Sequence, residues 1–339
     1  MQIVIMVVAT VLLLSGLIVV HEFGHYLVAK KRGIKVVEFA IGFGPRLIKW
    51  YRGETEFSIR PILFGGFVKF PDDVEEEPQE GDFRSASLKS KALTIVAGPA
   101  MNVILAIVLA IVFLTAMGEA QAVIADVQQG SPAQEAGLME GDAIREMNGQ
   151  NIDFFYYDTI DSQNAEGRES MTITVERDGE RIELEVPYAE INGKKAVGIS
   201  YGPELRPFSV GESFGLSFKW IGIKTGEILN ALGGVFFRGE VENVGGIVAT
   251  TVVVGQAVQS GLATVIMLAS LISINLAIVN LLPIPALDGG KLVLYAIEGI
   301  RRKPASERLE GVLNLAGFVL LIGLSVFLVF QDVGRLVAG

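Results

Sequence analysis

Four long apolar runs constrain the fold of this chain more than any other feature. They cover about residues 3–29, 92–117, 262–282 and 312–330. Each is long enough to cross ~30 Å of hydrocarbon as a helix. The mean hydropathy of +0.47 and the 50% share of hydrophobic residues agree with several spans plus a soluble part. The sequence therefore predicts a multi-span α-helical membrane protein with four transmembrane helices.

Composition excludes several classes of site and partner. The formal net charge is −10, which argues against nucleic-acid binding because phosphate groups require a basic face. Cysteine is absent, so disulfides and thiolate metal sites are excluded. The first run has no basic segment before it and no small-residue cleavage site, so we expect a membrane span rather than a cleaved signal peptide.

Basic residues predict how the spans are oriented. They occupy positions 30–32, directly after the first run, and positions 301–303, between the third and fourth runs. The positive-inside rule places both loops in the cytoplasm. The N-terminus and the long segment between the second and third runs are then expected outside the cytoplasm.

The two histidines of the chain are four residues apart in the motif His21-Glu22-Phe23-Gly24-His25, near the cytoplasmic end of the first run. Residues four apart lie on the same face of a helix. Two imidazoles so placed can hold one Zn²⁺, with Glu22 beside them to handle protons. Ionisable residues at membrane depth are costly and mark functional sites. This motif therefore predicts a catalytic zinc centre.

Asp288 is the best candidate for a third zinc ligand. A catalytic zinc usually has three protein ligands plus water, and without further His or Cys the third must be Asp or Glu. Asp288 follows Pro283 and Pro285, which break the helix after the third run. The third run crosses inward, so this carboxylate reaches the same side as the histidines. A simple turn or cap role is the alternative, because Asp-Gly is common in turns.

Two asparagines near the apolar runs are further candidates. Asn280 could hydrogen-bond the substrate backbone or an oxyanion. For Asn102, in the second run, we expect a structural hydrogen bond between helices, with substrate contact as the alternative.

The region between the first two spans contains strand-like stretches at 56–59 and 67–70, with turns at Gly42-Phe43-Gly44-Pro45 and Gly65-Gly66. Such strands beside a membrane site could form a sheet that pairs with an extended peptide. An ordinary hairpin is an equally good interpretation.

The long segment between the second and third spans resembles a circularly permuted bacterial PDZ domain. The matching residues are Ser131-Pro132-Ala133, Gly141-Asp142-Ala143-Ile144 and Asn148-Gly149. PDZ domains bind extended peptides or chain ends by adding a strand to a sheet edge. The alternative is a bulky gate that binds no peptide. After this domain we expect amphipathic helices that lie on the outer membrane face or pack on the soluble domain.

Nearly the whole chain resembles the site-2 protease family of intramembrane zinc metalloproteases, and within it the bacterial regulator-of-sigma-E group. The resemblance depends on motifs at residues 21–25, 42–45, 65–69, 98–102 and 280–290, together with the PDZ-like segment. The chain departs from the best-known member of that group, because only one PDZ-like segment is visible instead of two.

This resemblance implies one Zn²⁺ per chain and a set of site residues. The implied zinc ligands are His21, His25 and Asp288, the catalytic acid–base is Glu22, and the substrate-binding residues are Asn280, Gly65 and Gly66. The two glycines belong to a membrane-embedded sheet that holds unwound substrate.

The resemblance also implies substrates and location. The family members cleave transmembrane segments of single-pass proteins already trimmed by another protease, such as anti-sigma factors, in regulated intramembrane proteolysis. Some also clear signal-peptide remnants. The PDZ domain excludes untrimmed substrates by size. The implied location is the bacterial inner membrane, with the N-terminus and PDZ domain extracytoplasmic and the zinc near the cytoplasmic side.

The expected fold combines the four spans with a membrane-associated β-sheet and an inserted α+β PDZ domain. The expected ranges are the first span with the zinc motif (1–30), a cytoplasmic or membrane-embedded β-loop region (31–91), the second span (92–117), the PDZ domain (118–202), an amphipathic helical region (203–254), the third span with the third ligand (255–290), a cytoplasmic loop (291–311) and the fourth span (312–332). Two rival functions are a catalytically silent PDZ membrane scaffold and a zinc-gated transporter. Transporters usually show internal repeats, and none is visible in the sequence.

Overall fold

A computed structural model describes residues 2–71, 80–152, 168–191, 194–241, 244–303 and 305–338. The chain divides into two units. The membrane unit comprises Met1–Phe113 and Phe214–Gly339, and the inserted unit comprises Leu114–Ser213. Residues 153–167 of the expected PDZ range lie outside the described residues.

The membrane unit begins with two long helices that flank a small sheet. The bounds are α1 (Gln2–Lys31), β1 (Glu38–Phe43), β2 (Ile48–Arg52), β3 (Thr55–Ile59), β4 (Ile62–Lys69) and α2 (Leu88–Ala116). The strand order is β2-β3-β1-β4, and β1 runs parallel to β3 and antiparallel to β4. Strand β4 therefore lies at one edge of this sheet.

The inserted unit is built around a second sheet. Its elements are β5 (Glu119–Val127), α3 (Pro132–Glu135), β6 (Ala143–Met147), β7 (Gln150–Asn151), β8 (Ser170–Arg177), β9 (Glu180–Pro187), β10 (Ala189–Ile191), β11 (Lys194–Ala196) and β12 (Ile199–Arg206). The main order is β12-β5-β6-β8-β9, with β7 paired to β6 and a separate pair formed by β10 and β11.

The second part of the membrane unit is helical. Its elements are α4 (Val210–Gly233), a π-helical turn (Gly234–Arg238), α5 (Ile247–Ser260), α6 (Leu262–Asn280), α7 (Asp288–Arg301) and α8 (Glu307–Ala338). Among the described residues, four helices are long and apolar enough to cross a membrane, namely α1, α2, α6 and α8.

The third of these helices begins later than the range taken from the sequence. That range, 255–290, starts inside α5, which ends at Ser260. Gly261 has φ 115°, a backbone conformation that a helix cannot contain, so a new helix begins at Leu262. Helix α5 has 14 residues and is shorter than the ~20 needed to span hydrocarbon. Asp332 of α8 accepts hydrogen bonds from the N–H groups of Gly246 and Ala249 and so caps α5.

The close approach of α1 and α2 depends on glycine. A Cβ atom added to Gly24 would collide with the backbone of Ala97. Small residues at such crossings let helix backbones come close and gain dispersion contacts. Helix α6 packs on the same α2 through two fully buried serines, because Ser270 donates to the Ala106 carbonyl at 2.7 Å and Ser273 to the Asn102 carbonyl at 2.9 Å.

The sheet of the membrane unit has two chemically different faces. Phe39, Phe57 and Trp50 form an aromatic row that continues to Tyr26 of α1, with successive ring centroids 5.5–5.7 Å apart. The alternation of strand residues places these side chains on one face of the sheet. That face packs on α1, the helix that carries the two histidines, through Tyr26.

The opposite face is ionic and centres on Glu38. Arg60 and Ser58 donate to one carboxylate oxygen of Glu38 at 2.5 and 2.6 Å, and Arg46 donates to the other at 3.1 Å. Burial alone would raise the pKa of Glu38, but these hydrogen bonds and the guanidinium charges outweigh it and lower that pKa to about 2. Glu38 therefore stays ionised at any physiological pH.

The inserted unit has its own apolar core. Fully buried members of this core include Ile124, Ile144, Ile152, Ile173, Val175 and Val186. Local turn chemistry shapes this unit, because Ser131 caps α3 ahead of Pro132, and Asp178-Gly179 turns β8 into β9 with φ values of 53° and 82°.

Candidate metal centre and active site

Three candidate ligands converge near the C-terminal end of α1. The Nε2 atoms of His21 and His25 are 3.1 Å apart. The Oδ2 atom of Asp288 lies 3.1 Å from the first and 3.3 Å from the second. All three residues are buried, with less than 10% of their surface exposed. The structure thus brings together two helix residues and a carboxylate more than 260 positions away.

The spacing of these three atoms fits a zinc ion. Zinc bonds of about 2.0–2.1 Å at tetrahedral angles separate neighbouring ligand atoms by about 3.3 Å. Apart from the two ring nitrogens, Asp288 Oδ2 has no hydrogen-bond partner among the described residues. A buried carboxylate oxygen facing two imidazole nitrogens is the arrangement that a divalent cation stabilises. His21, His25 and Asp288 therefore match the donor set of zinc.

Helix α2 orients the two imidazole rings through contacts with their Nδ1 atoms. The Nδ1 atom of His25 lies 2.8 Å from the carbonyl oxygen of Thr94, so Nδ1–H donates and Nε2 is free for a metal. The Nδ1 atom of His21 lies 3.3 Å from the side-chain amide nitrogen of Asn102. Between them, a Cβ atom added to Gly98 would collide with both imidazoles.

A cavity of about 230 Å³ opens onto the three ligands. Glu22 and Asn280 line it together with Lys291. Ligand atoms of His21, Glu22 and His25 all lie within 4.8 Å of one another. The carboxylate of Glu22 is therefore close enough to the two imidazoles to exchange protons with a water molecule held by a metal there.

The loop between α6 and α7 presents Asp288 to the histidines. Ala286 has φ 74°, a strained value for a residue with a side chain. Cβ atoms added to Gly289 and Gly290 would collide with carbonyl groups of this loop. The loop can fold tightly against the start of α7 because both residues lack side chains, and Asp288 is then held at the first position of that helix.

The two glycines predicted to bind substrate lie outside the cavity. Gly65 and Gly66 sit on edge strand β4, beside Ile18 and Val19 of α1. Two residues at the end of the same strand line the cavity, namely Val68 within β4 and Phe70 directly after it. Strand β4 thus runs along α1 toward the ligands.

Sequence reasoning missed two polar residues, one at this cavity and one at a second cavity of the membrane unit. Lys291 lines the cavity one helical turn after Asp288, and this spacing of three on a helix could have indicated it. Asn275 lies exposed in the middle of α6 and lines an apolar cavity of about 430 Å³. An amide inside an apolar run is a signal of this kind.

The chain is similar to known metalloproteases over most of its length. The model of peptidase family M50 matches residues 9–324. A candidate zinc metalloprotease of Nostoc sp. is 34% identical, with 97% of this chain and 96% of that protein covered. One of Clostridium perfringens is also 34% identical, with 96% and 98% covered. The zinc metalloprotease RasP of Shouchella clausii is 29% identical, with 97% and 98% covered.

Proposed function

This chain belongs to peptidase family M50 and is a zinc metalloprotease, and from that premise we propose that it hydrolyses peptide bonds within transmembrane segments of single-pass membrane proteins. The observation that carries the proposal is the triangle of His21, His25 and Asp288 atoms, 3.1–3.3 Å on a side, at the end of an apolar helix of 30 residues. Ionisable residues inside a membrane-spanning helix mark a functional site, and we expect the substrate of this one to share the bilayer.

His21, His25 and Asp288 hold the zinc ion in this proposal. The bound ion supplies Lewis acidity and lowers the pKa of water to about 7. Glu22 accepts a proton from the attacking water and gives it to the leaving amine, which its place in the cavity allows. Asn280 lines the same cavity and is positioned to donate a hydrogen bond to the substrate backbone.

Edge strand β4 holds the substrate in extended form. Helical segments shield their carbonyl groups, so a substrate must unwind before hydrolysis. Among the described strands, β4 pairs only with β1 and leaves its other edge for a peptide. Both positions favour glycine, because Gly65 has φ 99° and a Cβ atom added to Gly66 would collide with the Ala40 carbonyl of β1. The bound peptide would then lead toward the cavity.

The substrates in this proposal are proteins already trimmed by another protease, such as anti-sigma factors, or signal-peptide remnants. The inserted unit acts as a PDZ domain that excludes untrimmed substrates and binds a peptide or chain terminus. The protein lies in the bacterial inner membrane, with the inserted unit and the N-terminus outside and the zinc near the cytoplasmic face. The basic residues at 30–32 and 301–303 support this orientation.

The Glu22→Gln variant tests the proposed chemistry. Purified protein in detergent is incubated with a single-span substrate that carries Gly or Pro in its apolar segment, because such residues ease unwinding. The wild type should contain one zinc per chain and cleave the substrate, and a chelator should stop cleavage. Glu22→Gln should keep its zinc and lose cleavage by at least ~100-fold, in line with loss of a general base.

Three results would overturn parts of this proposal. Full activity of Glu22→Gln would remove the acid–base role. Protein without zinc and without cleavage would favour a membrane scaffold. Zinc binding combined with zinc flux into vesicles, and no cleavage of any single-span substrate, would favour a transporter.

A further inference from the structure

We propose that Asn102 is a positioning residue for the zinc ligand His21, whose Nδ1–H group donates a hydrogen bond to the side-chain oxygen of Asn102. This inference rests on the proposed function, because it requires a metal at Nε2 of the same ring. It assigns a zinc-site role to a residue that the sequence alone presents as a contact between helices.

Helix α2 faces the two ligand rings with three residues spaced four apart. Thr94, Gly98 and Asn102 therefore lie on one face of this helix. The Thr94 carbonyl binds the ring of His25, and Gly98 leaves room for both rings. Asn102 reaches the ring of His21 at the other end of the row. Each imidazole thus has one partner on α2, a backbone group for one and a side chain for the other.

The chemistry of imidazole decides which atom of Asn102 faces the ring. If the amide nitrogen donated to Nδ1 of His21, the ring proton would sit on Nε2, the atom that points at His25 and Asp288. A protonated Nε2 cannot bind a metal. A zinc-bound His21 must therefore carry its proton on Nδ1 and needs an acceptor there.

The side-chain oxygen of Asn102 is that acceptor once the amide group is rotated by 180°. With the nitrogen toward His21, the Oδ1 atom is buried and has no hydrogen-bond partner among the described residues. Rotation by 180° about the last side-chain bond exchanges the oxygen and the nitrogen at the same positions. The oxygen then accepts from Nδ1–H of His21, so the orphaned acceptor gains a donor and Nε2 is released for the metal.

The surroundings hold Asn102 in place. Its side chain is fully buried, and its backbone carbonyl oxygen accepts a hydrogen bond from the hydroxyl of Ser273 on α6 at 2.9 Å. Partners of this kind around metal-binding histidines fix ring orientation and ligand basicity, and their loss typically costs about 10–100-fold in metal affinity.

Zinc affinity of purified full-length variants tests the proposal, measured by competition with a chromogenic chelator. Asn102→Leu keeps the side-chain volume and removes the acceptor, so zinc should bind about 10–100-fold more weakly. Asn102→Asp keeps an acceptor for Nδ1–H and should bind zinc more tightly than Asn102→Leu. Ser270→Ala is the matched control, because it removes one buried contact between α2 and α6 without touching a ligand, and its zinc affinity should be that of the wild type.

The order of the two Asn102 variants separates the two roles. If Asn102 only joined helices, a buried carboxylate would be the more damaging change, and Asn102→Asp would bind zinc no better than Asn102→Leu. That order, or equal affinities for Asn102→Leu and Ser270→Ala, would overturn the inference. If Asn102→Leu does not fold, the test uses Asn102→Asp alone. A folded Asn102→Asp whose zinc affinity is more than about tenfold below that of the wild type would also overturn the inference. A wild type without zinc would instead overturn the proposed function.

Discussion

Gly98 is the residue whose missing side chain makes room for the metal site. It lies on α2 beside the Nε2 atoms of His21 and His25, and a Cβ atom there would collide with both rings. Protein interiors are close-packed, so one added methyl group must displace a neighbour. Here the displaced neighbours are two proposed zinc ligands.

Gly98→Ala should lower zinc affinity about tenfold to hundredfold, because overpacking costs about 1–3 kcal/mol and the rings must absorb the shift. Gly16→Ala is a matched control on α1, where nothing lies within 4 Å of the added methyl group. That variant should bind zinc as the wild type does, with unchanged or slightly higher stability. Chelator competition on both proteins checks this, and equal affinities would show that the rings tolerate the methyl group.

At the scale of elements, one hydroxyl joins the metal-motif helix to the edge strand. Ser15 of α1 is buried, donates to the Leu63 carbonyl at 2.5 Å and accepts from the Gly65 N–H at 3.2 Å. Backbone groups at membrane depth find no water to replace such partners. Ser15 therefore holds β4 against α1, six residues before His21.

Ser15→Ala should reduce cleavage of a single-span substrate several-fold and leave zinc content unchanged, since the strand loses its anchor but the ligands do not. Two unpaired backbone groups cost about 1–3 kcal/mol each. The comparison variant is Thr10→Val, which removes another buried hydroxyl of α1, one that donates to the Met6 carbonyl of the same helix. Wild-type turnover in Ser15→Ala would argue against a substrate-holding role for β4.

At the scale of the whole molecule, the first and last residues of the inserted unit lie next to each other. The N–H group of Phe208 donates to the carbonyl of Leu114 at 3.0 Å, and the hydroxyls of Thr115 and Ser213 are 3.0 Å apart. With its own apolar core and adjacent ends, this unit has the properties of a domain that can be removed. Its proposed role in excluding untrimmed substrates can thus be separated from catalysis.

Replacement of residues 118–206 by a short Gly/Ser linker should leave zinc binding intact and let the enzyme cleave an untrimmed single-pass substrate at least several-fold faster than the full chain does. Gel-based cleavage of trimmed and untrimmed forms of one substrate measures the change. The same excision combined with Glu22→Gln should be inactive on both forms, which controls for a contaminating protease. Continued exclusion of the untrimmed form would place the size filter elsewhere.

Local features of the chain could be predicted from residue order because their causes are local. The metal motif depends on a helical spacing of four, and the turn at Asp178-Gly179 depends on two adjacent residues that tolerate positive φ. The four long apolar helices follow from run length. The motifs predicted the family and its zinc chemistry, and the comparisons confirm both. Asp288 could be named as a candidate third ligand because the chain has no further His or Cys and because its place after the third run puts it on the side of the histidines.

Packing between distant segments decided the rest. The carbonyl that orients His25 belongs to Thr94, which is 69 positions away, and any residue type has such a carbonyl. Contacts of Gly98 and Ser15 likewise join elements whose approach no local pattern encodes. The strand order that leaves β4 at the edge and the break at Gly261 before α6 belong to the same class. These features arise from the free energy of closely packed helices and strands, and that energy is a property of the folded chain as a whole.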